Sequence, residues 1–145
     1  NDSAGAVTRL IDMGIEPFLI TSSVSAILAQ RLVRVICPHC REAYTPDGES
    51  LQKIGITPEM SEGATVYRGR GCPACLDTGF RGRTGIFEFM LLDEKIKNLI
   101  LKTSDANALK RAAIEGGMTT LRRDGARKVL QGITTIEEVF RVTYQ

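Results

Sequence analysis

Four cysteines are the residues of this chain whose type and spacing can do chemistry. They form two matched pairs, Cys37-Pro38-His39-Cys40 and Cys72-Pro73-Ala74-Cys75, and no other cysteine occurs. A Cys-x-x-Cys turn aims two sulfurs at one point, and two such turns make a tetrahedron of thiolates. That is the ligand set of a structural zinc site, with Zn–S bonds of about 2.3 Å. The proline after the first cysteine of each pair presets the turn, so both loops are expected to be built alike. Other chemistries use the same residues. Disulfides need an oxidising compartment, and no secretory apolar segment is recognisable. A thioredoxin-like redox pair usually comes once rather than twice. Iron in a rubredoxin-type site takes the same four sulfurs, so spacing leaves zinc and iron both open. His39 can replace a sulfur as ligand, but four cysteines already close the shell, and a solvated histidine is the preferred reading.

The bulk composition excludes several classes. With 145 residues and 43% hydrophobic content, the chain has the size of one ordinary domain. No apolar run reaches the ~18 residues of a membrane helix. The net charge is +2, with thirteen arginines and six lysines, too mild a balance to argue for nucleic acid. Tryptophan is absent and aromatics are 6%, which leaves no stacking platform for bases. Reduced cysteines without a targeting segment point to the cytosol. The chain opens on Asn1 without Met and reads as a piece of a longer protein.

Several elements must position the cysteines. Asp2 and Ser3 are good caps for a helix with Val7, Leu10 and Ile11 on one face, ended by Gly14. Pro17-Phe18-Leu19-Ile20 reads as a short buried strand. Thr21-Ser22-Ser23 then caps a second helix over roughly 23–34, with Val24, Ile27, Leu28 and Leu32 as its stripe, leading into Val35-Ile36 and the first pair. Between the pairs lie 31 residues, 41–71. Tyr44-Thr45-Pro46-Asp47-Gly48 is a turn cluster. Leu51 and Ile54 imply a short helix ended by Gly55, Thr57-Pro58-Glu59 a cap with proline in the first turn, and Thr65-Val66-Tyr67-Arg68 a strand. This excursion is too short and polar for a core of its own. The metal is expected to supply the missing stability, about 10–16 kcal/mol for structural zinc sites in small domains.

Beyond the second pair, Gly79 to Gly85 is glycine-rich close-approach backbone, and 86–92 reads as a strand. Arg68, Arg70, Arg81 and Arg83 bracket the second pair, either solvating a small module or offering a basic patch to an acidic partner, a phosphate or a neighbouring subunit. The last third reads as four capped helices. Asp93, Ser104-Asp105, Thr119-Thr120 and Thr134-Thr135 open them. Gly116-Gly117 and Gly132 are stops, and Thr134-Thr135-Ile136-Glu137-Glu138 is a doubled capping box.

Catalytic patterns are missing. No Gly-x-x-x-x-Gly-Lys-Ser/Thr loop occurs to cradle a triphosphate. A closed tetrathiolate leaves no position for water, and the lone histidine has no nucleophile and acid at useful spacing. On its own residues the chain reads as no enzyme.

Taken together, the motifs resemble the C-terminal part of the ATPases of type II secretion and type IV pilus assembly. The resemblance runs nearly end to end. Asn1-Asp2-Ser3-Ala4 is similar to the segment after the family's histidine box, and Ser22-Ser23-Val24 through Ala29-Gln30-Arg31-Leu32-Val33-Arg34 resembles the helix leading to its metal module. The two cysteine pairs resemble its tetracysteine motif. Gly82-Arg83-Thr84-Gly85-Ile86-Phe87-Glu88 resembles the strand that follows. Gly117-Met118-Thr119-Thr120-Leu121-Arg122-Arg123-Asp124-Gly125 and Gly132-Ile133-Thr134-Thr135-Ile136-Glu137-Glu138-Val139 resemble its tail.

The resemblance implies an α+β chain in three parts. Residues 1–35 would end a RecA-like α/β core, 36–91 would be a tetracysteine zinc module with short strands, and 92–145 a C-terminal helical subdomain. It implies structural Zn2+ on Cys37, Cys40, Cys72 and Cys75. ATP and Mg2+ would bind only in the parent, whose P-loop, aspartate box and Walker B residues would precede this segment. The parent would be a homohexameric cytoplasmic motor, held at the inner membrane by secretion-platform proteins. Glu16-Pro17-Phe18-Leu19-Ile20 and Leu32-Val33-Arg34 favour the type II secretion branch over the pilus branch. Two further readings remain: a zinc ribbon that binds nucleic acid, and an adaptor that docks on a secretion platform without a P-loop of its own.

Overall fold

The computed structural model describes residues 2–144; Asn1 and Gln145, the outer ends of the expected first and last parts, lie outside the described residues. In chain order the elements are α1 (Ser3–Asp12), α2 (Pro17–Ser23), β1 (Ala26–Ile36), β2 (Arg41–Tyr44), α3 (Gly48–Lys53), α4 (Pro58–Ser61), β3 (Val66–Gly69), β4 (Phe80–Leu91), α5 (Glu94–Lys102), α6 (Ala106–Glu115), α7 (Leu121–Leu130) and α8 (Ile136–Thr143). Strands β1 and β4 form one two-stranded sheet and β2 and β3 another. The chain divides into two compact units. One holds the residues up to Gln30 with Phe87–Thr120, and the other holds Arg31–Ile86 with the residues from Leu121 on. Both β1 and β4 run from one unit into the other.

The first unit is built from capped helices over one apolar core. The Asp2 carboxylate accepts the Gly5 N–H at 2.8 Å and opens α1. Gly14 follows the helix in the left-handed region, φ +92°, where a Cβ would be strained. Ala4, Val7, Ile20, Met90, Leu92, Ile96, Ile100 and Leu109 fill the core, with Ala112 and Ala113 beside them. One polar contact is buried among these elements. Ser3 donates its hydroxyl to Glu88 at 2.6 Å and its N–H to the same carboxylate oxygen at 3.0 Å. The carboxylate thereby takes an unpaired amide of the first turn, where helix geometry favours negative charge.

Two expectations from the sequence are corrected here. Pro17-Phe18-Leu19-Ile20 is the start of helix α2, not a strand. Proline sits in its first turn, where its missing N–H costs nothing. Thr21 and Ser22 end that helix instead of capping the next one, returning their hydroxyls to the carbonyls of Phe18 and Leu19. The second correction is larger. The stretch expected as a helix over 23–34 is strand β1. Ile27, Ala29, Arg31 and Val33 lie on its more buried side, and Leu28, Gln30, Leu32 and Arg34 alternate on the exposed side. Leu28 and Leu32 lie on one face and Ile27 on the other, so apolar residues on both faces of a strand mimic a helical stripe.

The second unit has its own core of Ile54, Ile56, Val66, Ala126, Val129, Ile136 and Val139, with Tyr44, Leu51, Leu130 and Phe140 packed against it. The excursion between the cysteine pairs supplies Ile54, Ile56 and Val66, and helices α7 and α8 supply the rest. The expectation that only a metal could stabilise this excursion is therefore corrected: it shares a core with the last two helices. Gly125 marks their closest approach, since a Cβ there would meet the Val139 methyl groups at 2.5 and 2.9 Å.

Short-range signals for the four last helices are met by α5 to α8. Asp93, Asp105 and Thr135 each accept an N–H from the first turn of the helix they precede. The capping box at Thr135 is only half formed. Thr135 accepts the Glu138 N–H at 3.2 Å, but the Glu138 carboxylate does not return to the cap. It accepts the Arg34 N–H at 2.8 Å and the Arg34 guanidinium at 2.9 Å, and both Nε and a terminal nitrogen of Arg141 at 3.1 and 2.9 Å. Next to it, Thr134 donates its hydroxyl to the Arg34 carbonyl at 2.7 Å, and the Ile36 N–H reaches the Ile133 carbonyl at 2.9 Å. The segment before α8 thus satisfies backbone groups of β1 that a strand edge would leave open.

Glu138 is 2% exposed. Burial pushes its carboxyl up, but the bonds from Arg141 and Arg34 more than offset this and hold it at about 2 against an ordinary 4.5. A depressed carboxylate stabilises the fold above its unfolded value and stops doing so as pH falls through its folded value. Glu138→Gln is therefore expected to lower the melting temperature at pH 7, by an amount equivalent to about 1–3 kcal/mol for bonds to charged groups. The gap between variant and wild type is expected to close as the pH falls from 4.5 towards 2, as read by thermal denaturation at each pH.

Candidate metal centre

The two cysteine turns are carried by the strand ends. Cys37 follows β1 and Cys40 precedes β2. Cys72 to Cys75 forms a single 3-10 turn, Pro73–Cys75, between β3 and β4. Antiparallel pairing of Arg41 with Gly69, Glu42 with Arg68, Ala43 with Tyr67 and Tyr44 with Val66 closes the excursion directly behind the first turn. The ladder ends with the Arg70 N–H on the Cys40 carbonyl at 3.1 Å, and the Cys37 N–H reaches the Gly79 carbonyl at 2.9 Å. Backbone bonds therefore hold the two turns together independently of the sulfurs.

All four sulfurs lie within 4.8 Å of one another. Cys37 and Cys72 are 3.8 Å apart, Cys40 and Cys75 3.8 Å, and Cys72 and Cys75 3.7 Å. A regular tetrahedron with bonds of about 2.3 Å from metal to sulfur sets neighbouring sulfurs about 3.8 Å apart. The donor set fits a closed tetrathiolate. Its sulfurs are nearly twice as far apart as the roughly 2.05 Å of a disulfide. Three of the four cysteines are buried and Cys72 is partly so. His39 is exposed and is not among the clustered groups.

Backbone amides point at the sulfurs as the chemistry of thiolates requires. Gly71 donates to Cys40 at 3.2 Å, and Cys72 and Gly79 donate to Cys75 at 3.3 and 3.2 Å. Burial pushes the Cys40 thiol up to about 11 despite the Gly71 amide. Burial also raises Cys75, but the amides of Gly79 and Cys72 with the neighbouring sulfurs outweigh it and bring Cys75 down to about 6. Amides aimed at a sulfur favour its thiolate form, the form that binds a cation. A bound cation would draw the remaining thiols to thiolate.

A signal that the cysteine spacing did not carry lies in two glycines. A Cβ on Gly69 would fall inside the backbone of Gly79, and a Cβ on Gly79 would meet the Gly69 carbonyl oxygen at 2.5 Å. Gly79 also has φ +80°. The strand leaving the excursion and the loop entering β4 touch backbone to backbone, and only glycine allows it. Leu76 and Asp77, directly after the second turn, hold φ of 54° and 63°, conformations that non-glycine residues seldom adopt. Two of the bracketing arginines have different surroundings. Arg68 pairs with Glu42 at 3.1 Å and lies over the Tyr44 ring, while Arg83 lines a different cavity with Arg34 and Arg141.

Comparison with known proteins places this architecture. The family described as "Type II/IV secretion system protein" matches residues 1–141, and the chain belongs to it. Relatives cover both of its branches. The chain is 48% identical to the "Type II secretion system protein E" of Pseudomonas aeruginosa over 99% of its length, and 48% identical to the "Type II secretion system ATPase E" of Vibrio cholerae over 99%. It is 44% identical to the "Type IV pilus assembly ATPase PilB" of Thermus thermophilus over 100%. The chain spans 28% of the length of each of the first two proteins and 16% of the third.

Gly69→Ala is expected to force Gly79 and the second turn away from the first. Competition with a chelator should then show metal affinity reduced about tenfold or more, the equivalent of 1.4 kcal/mol. Amide exchange in α1 and α6, which lie in the other compact unit, is expected to stay unchanged. Affinity equal to wild type would mean the backbone contact does not hold the sulfurs together.

Proposed function

We propose that this chain is the C-terminal, zinc-binding part of an ATPase that powers type II protein secretion. The observation that carries this reading is the match of almost the whole chain to relatives named for that system, coinciding with a four-sulfur cluster of tetrahedral dimensions. In this reading Cys37, Cys40, Cys72 and Cys75 hold a structural Zn2+, which supplies charge compensation for the four thiolates and a rigid crosslink, with no open position for chemistry. ATP and Mg2+ are bound elsewhere in the parent, by phosphate-positioning residues this chain lacks, and the chain alone does not turn over nucleotide.

Residues 1–35 are proposed as the end of a RecA-like core, 36–91 as the metal module and 92–145 as the helical tail. An exposed apolar row on β1 and on its partner strand β4, beyond residue 35, supports a covering layer in the parent. Leu28, Phe89 and Leu91 are between 57 and 59% exposed on β1 and β4, although the opposite side of the same strands packs in a core through Ile27 and Met90. Strands apolar on both faces are usual in sheets covered on both sides. Further parts of our reading are a homohexameric cytoplasmic parent and docking of that parent on inner-membrane secretion-platform proteins. No described helix is long and apolar enough to cross a membrane.

The residues around the sulfurs then have a mechanical task. The zinc fixes two turns that the β2–β3 ladder and the Gly69–Gly79 contact bring together, so that the second unit moves as one rigid piece when the motor changes shape. Assembly of a type IV pilus is the second reading, favoured by the 44% identity to the Thermus thermophilus protein over the whole chain. Nucleic-acid binding is not supported. Arg34, Arg41 and Arg68 lie over the rings of Phe80, Tyr67 and Tyr44, leaving neither these guanidiniums nor these rings open to stack on bases.

Elemental analysis of the purified chain is expected to give zinc, in a single equivalent, with iron absent. Cys37→Ser should remove it. In the intact parent the same substitution is expected to abolish export while nucleotide binding persists. Unchanged metal content and export would overturn the structural-zinc reading, and export of pilin rather than secreted enzymes would move the protein to the pilus branch.

A further inference from the structure

A cavity of about 260 Å³ in the second unit is lined by Leu32, Arg34, Arg83 and Arg141. Three arginines lining one small space concentrate positive charge there, and an anion is favoured beside them. Glu138 compensates only in part. Its two oxygens accept four hydrogen bonds, two from Arg34 and two from Arg141, so the carboxylate is saturated. It is buried, whereas the side chains of Arg34 and Arg141 are 45 and 58% exposed. Arg34 is also stacked 4.1 Å from the centre of the Phe80 ring, which fixes the plane of its guanidinium. The Arg83 side chain is exposed and lines the same cavity.

The charge count is therefore three guanidiniums against one carboxylate, two positive charges in excess. Two of the three forks are locked in place by a buried anchor, and each keeps N–H donors that Glu138 does not use. A single carboxylate would neutralise one charge and leave the other. A dianionic phosphate neutralises both, and its tetrahedral oxygens suit several guanidinium forks at once. The cavity is large enough for a phosphoryl group and a short ester arm, with Leu32 as the apolar wall for that arm.

We propose that Arg34, Arg83 and Arg141 form a binding site for a phosphate group, free or in an ester, with Glu138 as the residue that positions two of the three arginines. Its function is separate from that of the sulfur cluster.

The test is a titration of the complete chain, metal-loaded, with sodium phosphate against sodium chloride at matched ionic strength. The arginine Nε–H resonances are followed. Saturable shifts are expected at Arg34, Arg83 and Arg141, with exposed Arg70 as the internal control. Arg83→Gln, at an exposed position that leaves the Glu138 bonds intact, is expected to weaken binding about tenfold, the loss of one charged hydrogen bond or more. Its amide spectrum should otherwise match wild type. A second arm uses vesicles of phosphatidylcholine with and without phosphatidic acid. Saturation by orthophosphate supports a free phosphate. Binding only to phosphatidic acid vesicles, still sensitive to Arg83→Gln, supports the same site reading a phosphate monoester on a lipid. Equal shifts at Arg70, no loss in Arg83→Gln, or binding of polyglutamate but of neither phosphate source would overturn the proposal.

Discussion

Four sulfurs held within 4.8 Å of one another are the constraint on which the second unit depends. Thiolates at that distance repel, and thiols so close gain little. The loops that carry them must be held by something other than the sulfurs themselves. The backbone does this twice. The β2–β3 ladder closes the excursion behind Cys40, and the Gly69–Gly79 contact brings the loop before β4 against it. Amides of Gly71, Cys72 and Gly79 then face the sulfurs. Preorganisation of this kind means that a cation entering the cluster spends little of its binding energy on ordering the chain. A metal bound there would complete a structure whose strands already place the four sulfurs.

The other fixed point is Glu138. A carboxylate this buried is tolerable only with its hydrogen bonds complete, and here all four are supplied, two by a residue of β1 and two by its own helix. Together with Thr134 and the Ile133 carbonyl, it ties the start of α8 to the strand that leads into Cys37. The apolar core of Ile54, Ile56, Val66, Ala126, Val129 and Val139 joins the same helices to the excursion between the cysteine turns.

Local chemistry was legible in the sequence wherever one residue type has one physical use. Paired Cys-Pro-x-Cys turns, the caps at Asp93 and Thr135 and the stops at Gly14 and Gly132 appear where spacing put them. The short helices and the strand between the cysteine pairs were legible for the same reason. Reading failed where two periods coincide. Ile27, Leu28 and Leu32 satisfy a helical stripe and a two-sided strand equally well, and only pairing with a distant strand decides between them. It failed also where a residue has two uses. Glu138 fits a capping box by position, but an arginine a hundred residues earlier offers its carboxylate more bonds than the cap amide can. The Gly69–Gly79 contact was invisible because nothing in either glycine's neighbourhood names the other. The family that the cysteine pairs and the tail motifs resembled is borne out by relatives matching end to end.

Net charge concealed most of what the arginines do. A sum of +2 over 145 residues describes a nearly neutral surface, yet the charges are not spread evenly. Arg41 and Arg68 are committed to the rings of Tyr67 and Tyr44, and Arg122 donates to the carbonyl and hydroxyl of Thr143 at the end of α8. These guanidiniums offer flat faces for ring packing along with hydrogen-bonding edges, and Arg68 adds an ion pair with Glu42. Arg34 combines both uses, stacking on Phe80 while bonding Glu138. Where arginines are spent on packing, charge balance says little about ligands. Where one stands near two others with a single saturated carboxylate behind them, the local sum decides, and that sum depends on strand pairing that no window of the sequence contains.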